Sequence, residues 1–597
     1  MYGLVRRSLA KGSTAKRACF VACSSYTTLS NQPVNPPRTS GKPQKAYGKP
    51  SRSHLYPQKP YRKQQKQSGN PHQAPVKPTN DKHKYAKLLK HFQKTKRRND
   101  IADPTHPSSI TTLEIKEFIK EYGQKHNLNI TIEDITNSYD LIGKFLPRLR
   151  TDDIILENIT IRYLTADGHG IAIVPKATYA APYVVDPEEL LGKFTIFLVP
   201  KTVVGDKVNI LIKMHHEYYA EGALMEVTNS DSRQSRRNKG LVVCQHFDKC
   251  NGCQLQMLSY DDQLRHKQSI IKKAYRFFYP DVTKHLGEDF GTVMGSPLQY
   301  SYRTKLTPHF SFGNGVFTGL GFESVSNQGR IDMKQCPIAT PEINEKITEM
   351  RDKFLGQAKT ALPYTQLTLR QSTRINNDTG STTQVALEGQ YKVITEKVND
   401  FVFQLDGNCF FQNNNAILPS VLDYITYHTK LSGKPIENLV DAYCGVGFFG
   451  IALSNAVPET TKIFGIELSK TSIKYANHNV KINYLDKDRI KFIQGDAASM
   501  FRNQEFMTSG ILGKNSVVII DPSRKGSNEM FLKQLLEFEP ELIVYISCNV
   551  FTQARDLATF AKLQEEGGEK YRVRDIMGFD FFPQTKHVES VAIIEKV

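Results

Sequence analysis

The pattern of hydrophobic and polar positions changes several times along the chain. Residues 31–100 are rich in Pro, Gln, Lys, Tyr and Ser and mostly lack apolar periodicity, which is typical of disordered segments. Apolar residues then recur at helical spacing from Leu113–Ile119 to Leu141–Leu146, which predicts one or two helices within 106–152. From about residue 154 the period shortens to that of strands.

Four short β-branched runs, separated by Gly, Pro and Asp, follow within residues 153–228. They are Ile159–Tyr163, Gly170–Val174, Phe194–Val199 and Lys207–Ile212. Such a set predicts a small β-barrel of the OB type, although a generic β-subdomain fits the same pattern. A polar linker, residues 229–240, leads into a mixed α/β region over 241–405.

The last part of the chain, residues 406–597, alternates apolar strands with helices. The predicted strands are Asn438–Asp441, Lys462–Glu467, Ile490–Ile493, Ser516–Asp521, Leu542–Ser547 and Ser590–Ile594. Apolar strands spaced by helices predict a parallel, doubly wound sheet. The chain is therefore assigned to the α/β class, with a disordered basic tail over 1–105.

Charge separates the tail from the rest of the chain. The formal net charge is +19, and residues 1–100 hold 23 Lys and Arg against 2 Asp and Glu, which leaves 56 against 58 elsewhere. Residues 1–80 contain no acid, and the first thirty fit a mitochondrial transit peptide. An ordinary basic tail, with the nucleus or cytoplasm as compartment, is the alternative. No apolar run approaches the ~18 residues of a membrane span, so no membrane partner is expected.

A glycine turn follows the first strand of the C-terminal part. Gly445, Gly447 and Gly450 have the spacing of a nucleotide-binding turn, and Glu467 lies 20 residues past Gly447, where it can hold ribose hydroxyls. This pattern fits both NAD and S-adenosylmethionine. Asp496, at the end of the third strand, can mark an adenine, and no separate catalytic domain follows for a nicotinamide. These two features favour the methyl donor over a NAD-dependent oxidoreductase.

A thiol and two carboxylates follow strands of the same predicted sheet. Cys548 and Asp521 end neighbouring strands, where doubly wound folds place ligands, and Glu589 precedes the last strand. A cysteine at a strand end is most often a buried small residue. Here the polar residues Asn549 and Asp521 are predicted at the same edge of the sheet, which favours covalent catalysis with a proton-abstraction step.

The motifs together resemble those of the RNA 5-methyluridine methyltransferase family. The matching stretches are Phe410–Asn414, Asp441–Gly447, Ile466–Glu467, Gly495–Asp496, Asp521–Arg524, Ser547–Asn549 and Phe582–Glu589. The match is dense over 410–597 and looser back to about 154. The chain looks most like the fungal branch of the family, which acts on the T-loop uridine of transfer RNA (position 54).

The resemblance implies a Rossmann-like methyltransferase domain, a TRAM-type barrel and a chemistry. Cys548 is implied to add to uracil C6 and Glu589 to remove the C5 proton. The implied contacts to S-adenosylmethionine are Gln412, Tyr443, Glu467 and Asp521, to which strand position adds Asp496, Gly445 and Gly447. Val550 and Ser523 stand where many members have proline, and neither change removes a reactive group.

The expected partner is therefore tRNA, with the protein acting as a monomer. The same chemistry on ribosomal RNA remains an alternative. So does a protein that mainly binds or folds RNA, although an intact Cys548–Glu589 pair argues against a purely binding role.

Four cysteines form a second candidate site. Cys244, Cys250 and Cys253 are spaced x5 and x2 apart, and Cys336 lies 83 positions later. This spacing resembles family members that carry a four-iron cluster (4Fe-4S), and thiolates at short spacing bind iron–sulfur or zinc. Iron–sulfur, zinc and an empty set of free thiols all stay open.

The segment Tyr300–Lys305 mixes aromatic and basic side chains. RNA recognition combines stacking with phosphate contacts, so this segment is expected to meet the RNA. A core strand with incidental Arg and Lys is the alternative.

Overall fold

The computed structural model describes most of the chain after residue 102. The described residues are 103–137, 154–181, 184, 186–229, 235–287, 289–325, 329–362, 366–376, 378–388, 392–565 and 570–597. They belong to one compact unit, Pro78–Val597. Residues 1–102 of the predicted tail lie outside the described residues. The second half of the predicted helical segment, from residue 138, also lies outside them. No helix in the described part is long and apolar enough to cross a membrane.

Helix α1 (Pro107–His126) is followed by the short helix α2 (Ile132–Ile135). Helix α1 begins where the His106 side chain accepts a hydrogen bond from Ser108 N. The same helix ends before Asn127, whose φ of 53° is left-handed. Its apolar residues Ile115 and Phe118 pack on the six-stranded sheet described next.

The first sheet lies within residues 155–227. Its strands are β1 (Ile155–Thr160), β2 (Tyr163–Leu164), β3 (His169–Pro175), β4 (Phe194–Pro200), β5 (Lys207–His215) and β6 (Ala220–Val227), with helix α3 (Ala177–Ala180) between β3 and β4. The order is β1-β5-β6-β4-β3-β2, so β1 and β2, consecutive in the chain, occupy opposite ends. The β4–β6 pair is parallel, whereas the others are antiparallel.

The central region carries small sheets and two long helices. Its elements are α4 (Tyr260–Phe278), β7 (Val293–Met294), β8 (Lys305–Leu306), β9 (His309–Gly313), β10 (Val316–Gly321), α5 (Pro341–Phe354), β11 (Leu369–Ile375), β12 (Thr382–Glu388), β13 (Val393–Val398) and β14 (Phe401–Asp406). Strands β9 and β10 pair, β12-β11-β8 form a second sheet, and β13 pairs with β14.

The C-terminal part is an α/β unit. Its elements are α6 (Leu418–Leu431), β15 (Asn438–Ala442), α7 (Phe448–Ala452), β16 (Lys462–Glu467), α8 (Lys470–Ile482), β17 (Ile490–Gln494), α9 (Gln504–Met507), β18 (Ser516–Ile520), α10 (Glu529–Phe538), β19 (Leu542–Ser547), α11 (Val550–Glu565), β20 (Tyr571–Phe579) and β21 (Glu589–Lys596). Val517 and Ile519 pack on one face of the sheet, and Val518 and Ile520 on the other. Burial on both faces explains the unbroken apolar runs.

The sheet of this unit is mixed rather than wholly parallel. Its order is β17-β16-β15-β18-β19-β21-β20-β7. Strands β15 to β19 are parallel, as predicted, but β21 runs antiparallel to both β19 and β20. The prediction of a parallel last strand was wrong because the loop 580–588 between β20 and β21 contains no crossover helix, so the chain simply turns back.

Candidate active site

The carboxyl ends of the parallel strands bring together four of the predicted site residues. Tyr443 and Asp521 follow β15 and β18 closely, Glu467 ends β16, and Cys548 follows β19 directly. Parallel neighbours end at the same edge of a sheet, so these side chains share one edge. Tyr443 has a φ of 64°, an unusual conformation for a residue with a side chain, and its ring lies 5.8 Å from that of Phe531.

Cys548 and Glu589 face each other because β21 is antiparallel. The last registered pair of β19 and β21 is Ser547 opposite Ser590. The next residue outward on each segment is Cys548 on one side and Glu589 on the other. Directly opposed residues of an antiparallel pair have Cβ atoms roughly 5 Å apart, so the thiol and the carboxyl meet at the carboxyl edge.

The thiol of Cys548 lies among acids and one cation. Burial, with the negative charges of Glu589 and Asp521, raises its pKa to about 11. Arg524 donates a hydrogen bond to the sulfur and opposes this rise. The sequence placed Arg524 in a matching stretch without giving it a role, and its side chain is the cation that favours the reactive thiolate.

Two carboxyls of the site hold their protons more tightly than usual. Burial raises the pKa of Glu589 to about 8, with the charge of Asp521 adding to the rise and Arg524 opposing it. Burial also raises the pKa of Asp521 to about 7. A carboxylate with a pKa near neutrality is suited to exchange protons during a reaction.

The glycine turn borders an open space. Gly447 has a φ of 83°, and a Cβ there would lie 2.9 Å from the Phe492 ring, so glycine is needed for packing. A Cβ built on Gly445, in contrast, meets nothing within 4 Å. Gly445 N donates to Glu467 Oε2 at 3.3 Å, so the acid lies at the border of that space. Inside the turn, Gly450 N donates to the buried Asp441 Oδ2 at 2.9 Å.

Gln412 and Asp496 stand in different settings. Gln412 is buried in the segment after β14, and its neighbour Asn413 accepts a hydrogen bond from Thr304 N at 3.0 Å. Asp496 is exposed after β17, where its Oδ1 caps a short turn by accepting a hydrogen bond from Ala498 N at 3.0 Å. The position of Asp496 agrees with a contact to a methyl donor at the edge of the site. Its Oδ1 atom, however, already stabilises the local turn.

Polar side chains of helix α4 hold the loop 580–588 in front of Glu589. Gln263 Nε2 donates to Gln584 Oε1 at 3.0 Å, and Gln584 N donates back to Gln263 Oε1 at 2.9 Å. Lys267 Nζ donates to Asp580 Oδ1 at 2.5 Å and to Phe582 O at 3.0 Å, with both charged groups fully buried. More than 300 residues separate these partners in sequence, so no sequence pattern predicted them.

The central region and the first sheet hold the same loop from other sides. Tyr302 Oη donates to Pro583 O at 3.0 Å, and Asn414 Nδ2 donates to Phe581 O at 3.1 Å. Lys586 Nζ forms a 2.5 Å ion pair with Asp167, in the turn between β2 and β3. The segment that leads to Glu589 thus contacts helix α4, the central region and the first sheet.

The four cysteines share one region without forming a metal site. Charge interactions link Cys244, Cys250, Cys253 and Cys336, and burial raises the pKa of Cys253 to about 11 and that of Cys336 to about 12. Within the described ranges, no three His, Cys, Asp or Glu side chains converge as a metal ion requires. The iron–sulfur and zinc hypotheses are therefore unsupported.

The residues at the carboxyl edge fit a methyl donor of nucleoside type. The open space beside Gly445 admits a ligand against the backbone, and the Glu467 carboxylate at its border suits ribose hydroxyls. The thiol of Cys548 lies at the same edge, two strands away from β15. A cofactor held there and a substrate held against Cys548 would meet.

Comparison with known proteins identifies the family. Residues 359–597 match the family model described as tRNA (Uracil-5-)-methyltransferase. A tRNA (uracil(54)-C(5))-methyltransferase of Saccharomyces cerevisiae is 32% identical over 556 residues, which cover 83% of this chain and 82% of that protein. Its counterpart in Schizosaccharomyces pombe is 33% identical over 531 residues, which cover 87% and 92%.

Among solved structures, the tRNA (uracil-54, C5)-methyltransferase of Pyrococcus abyssi in complex with S-adenosyl-L-homocysteine is 23% identical, with a TM-score of 0.49, and covers 73% of this chain and 100% of that one. The resemblance predicted from the sequence motifs is confirmed by the two yeast relatives, which match along most of their length. The chain therefore belongs to the tRNA (uracil-5-)-methyltransferase family and is an S-adenosylmethionine-dependent enzyme of that family.

Proposed function

We propose that this enzyme methylates C5 of the T-loop uridine at position 54 of tRNA, with Cys548 as the nucleophile and Glu589 as the base. The observation that carries the proposal is the opposition of Cys548 and Glu589 across β19 and β21, at the edge where the glycine turn opens. The names of the two yeast relatives support the choice of uridine 54 over a ribosomal uridine.

Uracil C5 alone is a poor nucleophile, and addition of the Cys548 thiolate to the ring makes C5 more nucleophilic. S-adenosylmethionine supplies a methyl group on a sulfonium, a good electrophile. The Cys548 thiolate forms a C–S bond at C6, and the displaced electron pair makes C5 nucleophilic. C5 then takes the methyl group as the bond between that group and the sulfonium sulfur breaks, which leaves S-adenosylhomocysteine. Glu589 then removes the C5 proton, the C5–C6 double bond re-forms, and the C–S bond breaks to release the thiolate.

Protonation states decide whether each step proceeds. Cys548 must lose its proton before it attacks, and the hydrogen bond from Arg524 favours this loss. Glu589 must be a carboxylate when the methylated adduct forms. Its pKa of about 8 leaves both forms populated near neutral pH.

Features around the site support binding of a flipped-out base. Phe410, beside Gln412, is 65% exposed, and exposed aromatic rings stack on unpaired bases. The target uridine must leave its stack to reach a thiol at a sheet edge.

The first sheet supports a second role in RNA binding. Its consecutive strands β1 and β2 lie at the two ends of the order, and β4–β6 is its parallel pair. A five-stranded Greek-key barrel of the OB type has this order once β1 and β2 are taken as one bent strand, and such barrels bind oligonucleotides. We therefore assign the TRAM-type barrel to residues 153–228.

The test is a trapping experiment on the full chain. The enzyme is mixed with S-adenosylmethionine and a tRNA T-arm that carries 5-fluorouridine at position 54. Fluorine cannot leave as a proton does, so a covalent enzyme–RNA adduct that carries one extra methyl should accumulate, mapped by mass to Cys548. The Cys548→Ala variant should bind the methyl donor normally and form no adduct.

Three controls fix the substrate. One T-arm carries 5-fluorouridine elsewhere in the loop, one carries plain uridine, and one RNA is a ribosomal fragment. Trapping on the ribosomal fragment alone would overturn the assignment to tRNA. An adduct with Cys548→Ala would overturn the assigned nucleophile.

A further inference from the structure

Two cations oppose each other in the short sheet of the central region. In the antiparallel pair of β8 and β11, Lys305 is the direct partner of Arg370. The adjacent pair, Leu306 opposite Leu369, faces the hydrophobic core, so Lys305 and Arg370 share the other face. Like charges in direct opposition across strands are destabilising. This arrangement costs stability, and an anion bound between the two cations would offset that cost.

A third cation lies beside them. Arg303 is two positions before Lys305 on the same extended segment, and its Nε donates to Lys305 O at 3.0 Å. Burial first, and then the charges of Arg370 and Arg303, lower the pKa of Lys305 to about 8. The Lys305 ammonium group is therefore close enough to both guanidinium groups to be affected by their charges.

No acid in the described ranges forms an ion pair with this cluster, although the charges of Glu396 and Asp406 act on Arg370. Arg370 is 3% exposed, its Nη2 donates to Cys409 O at 2.6 Å, and its buried Nε has no acceptor. Glu396 is the buried carboxyl nearby, but burial raises its pKa to about 8, and its Oε2 accepts a hydrogen bond from Asn415 Nδ2 at 2.6 Å. A buried donor without an acceptor is costly unless a ligand supplies one.

The cluster borders the active site. Thr304 N, between two of the cations, donates to Asn413 O at 3.0 Å, next to Gln412. The Arg303 guanidinium lies 5.6 Å from the centre of the Phe582 ring, in the loop that leads to Glu589. An anion bound here would sit between the segment 409–414 and that loop.

We propose that Arg303, Lys305 and Arg370 form a phosphate site for the RNA backbone beside the target uridine. The inference rests on the proposed function, because it requires an RNA whose flipped nucleotide reaches Cys548. A backbone phosphate supplies several acceptor oxygens, which match the guanidinium donors and the ammonium group. It also supplies a negative charge close to Lys305 and Arg303, with which no acid of the described ranges forms an ion pair. Backbone contacts of this kind fix the position of a nucleic acid without reading its sequence.

The test is the salt dependence of tRNA binding by Lys305→Met in the full-length enzyme. Loss of one phosphate contact should reduce the slope of log affinity against log salt by about 0.7 to 0.9, and should weaken binding roughly three- to tenfold at low salt. Binding of S-adenosylmethionine should stay unchanged. The melting temperature should not fall, because a like-charge opposition is removed. A merely structural lysine would give the opposite stability result.

Arg303→Gln should show the same loss of slope, which protects the conclusion if one variant folds poorly. Lys397→Met is the matched control, because Lys397 is an exposed lysine on the neighbouring strand β13 and should leave the slope unchanged. Wild-type affinity and slope in Lys305→Met would overturn the phosphate site, and so would weaker binding of the methyl donor alone. Trapping of 5-fluorouridine RNA by the wild type, run in parallel, tests the proposed function separately.

Discussion

At the scale of single residues, the site is built from groups whose proton affinities are shifted by each other and by burial. Burial raises the pKa values of Glu589, Asp521 and Cys548, and the negative charges of Glu589 and Asp521 add to the rise at the Cys548 thiol. Arg524, in the segment after β18, opposes the rise in pKa at Cys548 and at Glu589. With its pKa raised to about 11, the Cys548 thiol keeps its proton at neutral pH, so we expect substrate binding to complete its activation.

Glu589→Gln should arrest the reaction after methyl transfer. An amide cannot accept the C5 proton, so covalent enzyme–RNA adduct should accumulate on natural tRNA and run as a shifted band on a denaturing gel. Normal turnover without adduct would contradict the role of Glu589.

The same variant should change how stability depends on pH. The folded-state pKa of Glu589, about 8, lies above its unfolded value of roughly 4.3, so the folded state holds the proton longer. This group therefore lowers stability as pH rises from about 4.3 to about 8. Glu589→Gln removes that loss, so its melting temperature should fall less than that of the wild type between pH 6 and pH 9. Parallel melting curves would show that the carboxyl is not shifted as described.

At the scale of elements, the loop 580–588 links catalysis to remote parts of the chain. Gln263 and Lys267 lie one turn apart on α4. Lys267 binds Asp580 at the start of the loop, and Gln263 binds Gln584 in its middle. Because the loop runs directly into β21, a change in its position moves Glu589. Breaking a fully buried ion pair by removing one partner costs about 3–5 kcal/mol, so Lys267 is a poor choice for a functional test.

Gln263→Leu is the sharper test of this positioning. It removes both hydrogen bonds to Gln584 and should lower kcat about tenfold with methyl-donor affinity unchanged, since a misplacement of about 1 Å costs that much or more. A partial build-up of adduct, as with Glu589→Gln, would mark the fault as loss of proton removal rather than general loosening.

Gln268→Leu on the same helix is the control, because Gln268 Nε2 makes only long contacts of 3.4 Å to carbonyls of 289–290. If both variants lost activity equally and neither built up adduct, α4 would be a structural support alone.

At the scale of the whole molecule, charge is divided between the ends of the chain. The surplus of basic residues belongs to residues 1–100, while the remainder is close to neutral. Within the described part, Arg303, Lys305 and Arg370 lie close together without forming an ion pair to an acid. We propose that the tail adds a non-specific grip on tRNA and that the first thirty residues direct the protein to mitochondria.

Deletion of residues 31–100 should weaken tRNA binding and flatten its dependence on salt, because fewer counterions are released. The rate at saturating tRNA should not change, since the active site is untouched. Filter binding at several salt concentrations, with single-turnover rates, separates the two. Unchanged affinity at low salt would show that the tail does not contribute to tRNA binding. A fusion of residues 1–40 to a fluorescent reporter tests the compartment.

The sequence by itself determined the α/β class and the residues that end the parallel strands. Tyr443, Glu467, Asp521 and Cys548 follow from local periodicity, because parallel strands joined by helices must end at one edge. The motifs also determined the family. Composition predicted a polar linker and a basic tail, which are local properties as well.

Only the tertiary structure decided how remote segments pair. The direction of β21, which sets Glu589 opposite Cys548, depends on a turn without a helix and on packing between β19 and β20. The opposition of Lys305 and Arg370 depends on the register of strands 65 residues apart. The four cysteines have the spacing of a metal site, yet their packing does not bring them together as one. Spacing along a chain constrains neighbours, whereas register and convergence are set by the packing of the whole fold.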